Sequence, residues 1–584
     1  MASNDPDESN SSRRWFLKTV GAGTAVGIAG CTGGGDGGDG EDEGEDTETE
    51  GDSGGGSTDT PEPEGTETEE SDMGGKAMAE FNRSHVGPLT HLDVHALNDS
   101  TVEYMEMAYD QLVDYAKGDP STIKPALATD WESANGGREW VFTLREGVTF
   151  DDGTTMDAYA VKRSLERAKQ LDASQSKPFD WIESIEENGD YEVQINAAGD
   201  GFGPAPAALT FVIPSIVNPN VIDEHWEEKN LGHEYFKNNL HGTGPYKLQN
   251  DEWEKGETSV WVLKDSHWRA EHDDLPDNLA VPEKANLGTV NRMIVREAQT
   301  RKLQLRKGDV DFTTELTFQQ RKAAVDASDA VRMYSAGPSM KNHYVFLHNQ
   351  REPTSDVNFR KALSYATDYE SVAKNVVQNA KPWGRPWADI NWPNMDRQYR
   401  RDLDKAKEFL DKSVYDGREL EWITSTGPTS NNIAQAMTAQ WKNDLGINIK
   451  HRGEIPWSQA YERLVDQEAH ADVLNYFGWP DYIDPNGHAI RYWGDYWPPA
   501  GWNSGYYKNE RYDELFVKAR STGKRSEREK LYSEMQDILM DEAPFIWPVQ
   551  RIWKQPVRKE IKNFSYTPGN LDYLRQHQFW KTTQ

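Results

Sequence analysis

Cys31 is the only cysteine in the 584 residues, and its sequence context favours covalent attachment to lipid. The segment Ile28-Ala29-Gly30 precedes it and, with the cysteine, resembles a lipobox, in which the thiol is alkylated by a diacylglyceryl group before cleavage. Two lipid chains would hold a protein firmly, because each buried CH₂ contributes ~0.8 kcal/mol. A single cysteine leaves no partner for an internal disulfide or a thiolate zinc site. The sequence therefore predicts Cys31 as a lipid-attachment residue.

The residues before Cys31 predict an export signal. Arg13 and Arg14 stand ahead of an apolar run from Thr19 to Gly30. That run is too short to cross a bilayer, which takes ~20 apolar residues, and it suits the h-region of a signal peptide. The string around the arginine pair resembles twin-arginine signals. We expect residues 1–30 to be a twin-arginine lipoprotein signal peptide; the alternative is a buried N-terminal helix with an incidental cysteine.

Residues 31–72 form an acidic, glycine-rich segment with no lysine or arginine. Such a composition cannot offset its ordering entropy, so we expect a disordered tether. The whole chain has a net charge of -34, and acidic residues continue beyond the tether. This disfavours nucleic-acid binding, because phosphate contacts need a basic face. Acidity with twin-arginine export resembles secreted proteins of salt-loving archaea; a mesophile with an acidic surface is the alternative.

Other motifs that could carry chemistry are weak. The glycine-rich string Gly242–Lys247 lacks P-loop spacing and predicts a turn that bounds a strand. His91 and His95 could share a helix face as metal ligands, but the residues between them have no metal-site character. Outside the acidic segment there is no Gly-x-Ser-x-Gly elbow. We therefore expect no catalytic residue, no metal and no cofactor.

Helix and strand signals alternate along the remaining chain, which predicts α/β layers. The predicted strands include 140–144 and 447–449. The predicted helices follow Asp157 and Asp356 as N-cap residues, cover 433–441 before a C-cap at Gly446, and cover 531–539.

Eight segments in this part of the chain carry recognisable motifs, of which the most diagnostic is Phe142–Phe150 followed by Asp151-Asp152-Gly153. The other segments are Leu92–His95, Tyr109–Val113, Pro125–Trp131, His241–Leu248, Arg360–Asp368, Gly478–Pro485 and Asp541–Pro544. In their order along the chain, the segments resemble those of the solute-binding proteins of peptide-type ABC importers, the dipeptide, oligopeptide and nickel-binding family. Val94, Asp151, Asp157 and Ala160 depart from the family pattern.

The resemblance implies an α/β, two-lobed periplasmic-binding-protein type II fold with an inserted subdomain in lobe I and a hinged interlobe cleft. Mapped onto this sequence, lobe I comprises 81–338 plus 546–584, with the subdomain at about 102–245. Lobe II comprises 339–545. The crossovers between the lobes fall near 342–346 and 545–547, and both segments are apolar runs that we expect to form strands.

The resemblance also implies a function without catalysis. We expect a monomeric, lipid-anchored protein on the extracellular face of the membrane, which captures peptides in the cleft and delivers them to ABC permease and ATPase subunits. The alternative within the family is a binder of oligosaccharide or another small solute. A secreted hydrolase on a similar scaffold and a surface receptor that lost transport are the alternatives from other classes.

The family pattern also points to ligand-binding residues. Asp481 occupies the place of the acidic residue that pairs with a peptide α-amine, although the loop after Trp479 is one residue shorter. A loop-capping role is the alternative for Asp481. We also expect Trp479, Tyr482 and Asp99 to contact ligand. Further aromatic residues follow up to Tyr507, and a second cluster comprises Trp383, Trp387 and Trp392; each cluster predicts a stacking wall, a sugar platform or core packing.

Overall fold

The computed structural model describes residues 79–87, 89, 91–96, 102–116, 119–171, 179–249, 253–255, 257–272, 275, 287–388, 392–393, 395–425, 427–478, 480, 482–564 and 579–582. The predicted signal peptide with Arg13 and Arg14, the attachment residue Cys31 and the tether at 31–72 therefore lie outside the described residues. No helix in the described part of the chain combines the length and apolar character that a membrane crossing requires.

The described strands are β1 (Ala79–His85), β2 (Val113–Ala116), β3 (Asp119–Pro125), β4 (Ala128–Ala134), β5 (Glu139–Leu144), β6 (Ile182–Gly189), β7 (Glu192–Ala197), β8 (Tyr246–Leu248), β9 (Thr258–Leu263), β10 (Leu287–Ile294), β11 (Phe312–Thr313), β12 (Val331–Leu347), β13 (Ala380–Pro382), β14 (Leu420–Ser425), β15 (Ile449–Ile455), β16 (Val473–Gly478), β17 (Phe545–Ile546), β18 (Val549–Arg558), β19 (Ile561–Lys562) and β20 (Trp580–Lys581).

The described α-helices are α1 (Val102–Ala108), α2 (Ala158–Leu171), α3 (Ala205–Ala208), α4 (Pro219–Glu224), α5 (His233–Phe236), α6 (Trp268–Glu271), α7 (Ala298–Lys307), α8 (Phe318–Asp326), α9 (Val357–Ala366), α10 (Tyr369–Ser371), α11 (Leu403–Asp411), α12 (Pro428–Leu445), α13 (Trp457–Val465), α14 (Pro485–Ala489), α15 (Glu510–Arg520) and α16 (Arg525–Glu542). Short 3₁₀ turns cover Val94–Ala96 and Ile490–Tyr492, and a π-helical turn covers Val372–Val377.

One long sheet runs through the fold, in the order β15-β14-β16-β12-β18-β11-β1-β10-β9-β8. The 17-residue strand β12 joins its two halves. The strand pairs with β18 between Val331 and Asn342, and with β16 between Asn342 and Leu347. This continuous strand confirms the strand predicted at 342–346, and β17 confirms the one predicted at 545–547.

Two large hydrophobic cores lie on the two halves of this sheet. The first core contains Phe81, Leu165 and Trp261, and we call the elements around it lobe I. The second contains Trp422 and Trp441, and the elements around it are lobe II. Each core contains side chains with no exposed surface, so each lobe buries enough apolar area to be stabilised by its own packing.

A separate four-stranded sheet, in the order β4-β5-β7-β6, belongs to lobe I. Helix α2 packs beside it and begins as the sequence predicts, because an Asp157 carboxylate oxygen accepts a hydrogen bond from the backbone N–H of Ala160 at 2.9 Å. Val161, Leu165 and Ala168 recur on one helical face and are buried. We call this sheet with α2 the small-sheet unit.

Most local predictions in lobe II are confirmed. Asp356 caps α9, and α12 ends at Gly446, which has a φ of 69°. The strand predicted at 447–449 is wrong in its start, since β15 begins at Ile449. The backbone N–H of Ile447 instead donates to the Trp441 carbonyl at 3.3 Å, which closes the helix end and delays the strand.

Candidate functional site

The loop that follows β16 carries the residues predicted to bind ligand. Strand β16 runs parallel to β14 and antiparallel to β12, and it ends at Gly478. Ligands of α/β sheets bind beyond the carboxyl ends of parallel strands, where loops converge. A side chain at Gly478 would meet the Tyr344 ring at 2.9 Å, so only glycine lets the strand pass this close to the crossover strand β12.

Tyr482 lies in this loop and contacts the opposite lobe. Its ring packs edge-on against Phe202 of lobe I, with centroids 6.4 Å apart and an interplanar angle of 82°. Its hydroxyl accepts a hydrogen bond from Asn486 Nδ2 at 2.7 Å. Burial raises the pKa of Tyr482 well above its ordinary value, so its side chain is uncharged where it packs between the lobes.

The next residue, Ile483, is joined to lobe I by a hydrogen bond. Its backbone N–H donates to the hydroxyl of Tyr115, on strand β2, at 2.9 Å. The two side chains share a small buried cluster with Met340 of β12 and Ala388 of lobe II. Burial raises the pKa of Tyr115, which keeps its hydroxyl neutral at physiological pH. One apolar cluster thus brings together both lobes and the crossover strand.

Asp484 fixes the far end of the loop. It caps helix α14 by accepting from the Asn486 N–H at 2.9 Å. It also forms a two-pronged ion pair with Arg528 of α16, with contacts of 2.5 and 2.9 Å. Burial opposes the charge of Arg528, but Asp484 and Tyr532 together raise its pKa above the ordinary value. A cap and a buried bidentate pair leave this segment little freedom.

Three of the four residues predicted to bind ligand, Asp99, Trp479 and Asp481, lie outside the described residues. The described neighbours of Asp481, Pro480 and Tyr482, are both buried. A side chain at Gly487 would meet Pro480 Cβ at 2.6 Å, so the start of α14 packs directly on the loop. The chain on both sides of Asp481 is therefore held by close packing.

Several aromatic residues of the two predicted clusters belong to the core of lobe II. Tyr492 and Tyr507 belong to its buried cluster, as do Trp383 and Trp387. The Trp383 indole N–H donates to the Trp387 carbonyl at 2.9 Å. Because these four rings are buried, core packing accounts for them and a sugar platform does not.

A buried polar network lines the lobe II side of the crossover strand. Asn475 of β16 donates to the Ser430 carbonyl and contacts His343 Nε2, both at 2.9 Å. Its side-chain oxygen accepts from Trp422 and Thr424, both at 2.8 Å. Burial lowers the pKa of His343 to about 3, so its ring stays neutral. No short motif marks this network, Tyr115 or Phe202, so none of them could be predicted from the sequence.

A buried cation lies directly behind the loop. Arg491 has 9% of its surface exposed, and its guanidinium carbon lies 5.8 Å from the ring centroid of Tyr344. The same carbon would be 3.4 Å from a side chain at Gly478. Arg491 could not be predicted from the sequence as part of this site, because it follows α14 without any distinguishing spacing.

The other chemical motifs are structural. The ring of His95 is buried, with Nε2 3.0 Å from the Ser215 carbonyl, and the described residues contain no group of three or more His, Cys, Asp or Glu that could hold a metal ion. The glycine-rich string is the predicted turn before β8. Side chains at Gly242 and Gly244 would collide with the backbone of Ala108, at 2.2 and 2.4 Å.

Two lobes joined by a continuous strand, with a loop that contacts both, define a type II periplasmic-binding-protein fold. Residues 122–497 match the family described as bacterial extracellular solute-binding proteins, family 5 Middle, and the chain belongs to this family. The chain is 29% identical over 481 residues to the probable D,D-dipeptide-binding periplasmic protein DdpA of Escherichia coli K12, covering 81% of this chain and 88% of that protein. It is 24% identical over 467 residues to the glutathione-binding protein GsiB of Salmonella paratyphi A, covering 78% and 86%.

Solved structures share this fold. The periplasmic binding protein DppA of Helicobacter pylori, in complex with the peptide STSA, superposes with a TM-score of 0.69 at 22% identity, covering 86% of this chain and 98% of that one. The substrate-binding protein CtaP of Listeria monocytogenes gives 0.73 at 19% identity, covering 87% and 100%. These similarities confirm the predicted two-lobed architecture.

Proposed function

We propose that this protein captures peptides between its lobes and delivers them, chemically unchanged, to the permease and ATPase subunits of an ABC importer. The observation that carries the proposal is the loop after β16, in which Tyr482 packs on Phe202 and Ile483 bonds to Tyr115. A solute held at this loop would sit where both lobes meet. Binding would therefore favour the closed arrangement of the lobes.

Asp481 is the residue we propose to bind the peptide α-amine. A carboxylate shielded from water forms charge-assisted hydrogen bonds with an ammonium group, and these are stronger than neutral ones. The alternative for Asp481 is a capping role in the loop, but Asp484 is the residue that caps helix α14. Relatives named for binding a D,D-dipeptide and glutathione add support for ligands that carry a free amine. We propose Trp479, Tyr482 and Asp99 as further ligand contacts.

We further propose the predicted membrane attachment and division of the chain. Residues 1–30, with Arg13 and Arg14, would direct export; Cys31 would carry the lipid; and residues 31–72 would tether a monomeric binding unit on the outer face of the membrane. Lobe I would comprise 81–338 plus 546–584, with its subdomain at about 102–245, and lobe II 339–545. The net charge of -34 supports a salt-adapted source. A Cys31→Ser chain that remains in the membrane fraction would contradict the anchor.

The ligand proposal is tested by calorimetric titration of the full chain with D-alanyl-D-alanine, L-alanyl-L-alanine and glutathione, beside native mass spectrometry of what co-purifies. We expect Asp481→Asn to weaken binding at least about 100-fold, the equivalent of ~2.7 kcal/mol, with little change in thermal unfolding. Asp495→Asn, an exposed aspartate further along the same segment, is the matched control. Unchanged affinity in Asp481→Asn would exclude the proposed role.

A further inference from the structure

The lobes meet at a second place, which contains none of the residues predicted to bind ligand. There the chain that follows β7 in the small-sheet unit approaches the turn between α15 and α16 of lobe II. The Gly203 backbone N–H donates to the Arg520 carbonyl at 2.8 Å. Close by, a side chain at Gly137 would lie 3.7 Å from the Gly523 nitrogen. We call the contact between 137, 201–203 and 520–523 the glycine contact.

Gly203 is required by the approach of the lobes and not by its own lobe. A Cβ at this position would lie 2.1 Å from the Thr522 carbonyl oxygen and 2.8 Å from its carbon. Real Cβ atoms do not come so close to backbone, which cannot move aside as a side chain can. The third nearest atom is Gly523 Cα at 3.4 Å, which is an ordinary van der Waals distance. Apart from the two neighbours of Gly203 in the chain, no atom in the described part of lobe I lies closer than this, so lobe I itself leaves room for a methyl group. The φ of Gly203 also lies outside the left-handed region that only glycine adopts readily.

Phe202 links the glycine contact to the loop after β16. Lobe I holds its ring by stacking on Trp181, with centroids 4.8 Å apart at 14°, and holds its carbonyl by a hydrogen bond from the Trp140 indole at 3.0 Å. The same ring touches lobe II twice. It packs against Tyr482 at 6.4 Å and lies 5.2 Å from the guanidinium carbon of Arg520.

We propose that Gly203 and Phe202 are positioning residues for ligand retention. The glycine contact forms when the lobes close, and Phe202 then packs against Tyr482, the neighbour of Asp481. The contact thus stabilises the closed arrangement and orders the ligand loop from the opposite lobe without touching the ligand. This inference deepens the proposed peptide capture and rests on it, since retention has meaning only for a protein that closes on a ligand.

The decisive variant is Gly203→Ala. Its methyl group fits lobe I but excludes Thr522, so we expect the unliganded protein to unfold at the wild-type temperature. The dissociation constants for L- and D-alanyl-alanine should rise at least about tenfold, mainly through faster dissociation, because the binding-competent closed state is less populated. Gly189→Ala is the matched control, since nothing lies within 4 Å of a Cβ there and the residue ends strand β6 of the small-sheet unit. It should bind as the wild type does.

A disulfide trap measures closure without reference to any ligand. Ser133 Oγ lies 3.5 Å from a Cβ placed on Gly523, so the pair Ser133→Cys and Gly523→Cys should cross-link when the lobes close. In a full-length chain with Cys31→Ser, mass spectrometry after mild oxidation gives the cross-linked fraction. We expect Gly203→Ala to reduce it severalfold and Gly189→Ala to leave it unchanged.

The two assays separate this inference from the proposed function. If neither dipeptide nor glutathione binds but Gly203→Ala suppresses the cross-link, peptide capture fails and the glycine contact stands as a closure contact. If peptides bind equally well to Gly203→Ala and the cross-link is unchanged, the inference is overturned and peptide capture stands. A lower unfolding temperature of unliganded Gly203→Ala would also overturn the inference, because the glycine would then be required for the fold of lobe I.

Discussion

Two buried aspartate–arginine pairs of the same geometry serve different parts of the molecule. In lobe I, Arg167 binds both carboxylate oxygens of Asp93, at 2.8 and 2.6 Å. In lobe II, Arg528 binds both oxygens of Asp484, at 2.9 and 2.5 Å. The first pair is enclosed within one lobe, whereas the second holds the loop that meets the other lobe. The comparison shows that a buried ion pair does not reveal its role; its position relative to the interlobe loop does.

The surroundings of the pairs also differ. Asp93 receives a further contact from His233 Nδ1 at 2.7 Å, and Arg167 contacts His95 Nδ1 at 2.9 Å. Asp484 instead uses its remaining capacity to cap a helix. The lobe I pair is therefore coupled to two histidine rings, whereas the carboxylate of the lobe II pair is coupled to a backbone N–H.

The largest expected effect is that of breaking the lobe I pair. Arg167→Met leaves the Asp93 carboxylate buried without its cation, which should reduce the free energy of unfolding by about 3–5 kcal/mol. Arg163→Met is the control, one helical turn earlier, because its partner Asp223 keeps 39% of its side-chain surface exposed and pairs with such access to solvent contribute at most about 1 kcal/mol. Urea unfolding followed by circular dichroism measures both. Similar losses of unfolding free energy for the two variants would show that the buried pair stabilises the fold no more than the partly exposed one.

Breaking the lobe II pair should affect binding as well as stability. Arg528→Met should cost about 3 kcal/mol of unfolding free energy and, in addition, weaken alanyl-alanine binding about tenfold, because the loop loses its anchor at Asp484. Arg525→Met removes a neighbouring arginine whose partner Glu529 is exposed, and it should change neither quantity. Calorimetric titration at a temperature where each variant is folded gives the affinity. If Arg528→Met bound as tightly as wild type, the contrast between the pairs would disappear.

Acid should weaken the lobe I pair through its histidine. Burial, followed by the charge of Arg167, lowers the pKa of His95 from 6.5 to about 4. Between these pH values His95 is protonated in the unfolded chain but neutral in the folded protein. The free energy of unfolding therefore falls as the pH drops from about 6.5 to about 4. Burial opposes ionisation of Asp93, but hydrogen bonds from Arg167 and His233 outweigh it and lower its pKa, so its contribution is lost at still lower pH.

His95→Gln separates this contribution from that of the other buried histidines. The glutamine amide can still donate to the Ser215 carbonyl, but it does not titrate. Urea unfolding at about pH 7 and about pH 4.5 should show a smaller loss of stability in this variant than in the wild type. An identical loss would assign the acid sensitivity to histidines elsewhere, such as His343.

Features that depend on residues close in the chain could be predicted from the sequence, whereas contacts between distant residues could not. Local signals predicted the caps at Asp157 and Asp356, the helix end at Gly446 and the strand nature of the crossovers, because each depends on residues close in the chain. Family resemblance predicted the two lobes. The partner of Asp484 lies 44 residues away, and that of Tyr115 lies 368 residues away. No periodicity connects such residues, so these contacts required the structure.

The smallest expected effect isolates one atom of the interlobe loop contact. Tyr115→Phe removes the hydroxyl that accepts from the Ile483 N–H but keeps the ring in its cluster. A single hydrogen bond contributes about 1 kcal/mol, so alanyl-alanine affinity should fall about fivefold if the bond forms only when the lobes close. Tyr159→Phe is the control, because its hydroxyl bonds to Asp223 on the surface of lobe I. If Tyr115→Phe lowered the stability of the unliganded protein but did not change its affinity, the hydrogen bond would be present without ligand. It would then stabilise the fold, as the lobe I pair does, and would not contribute to binding.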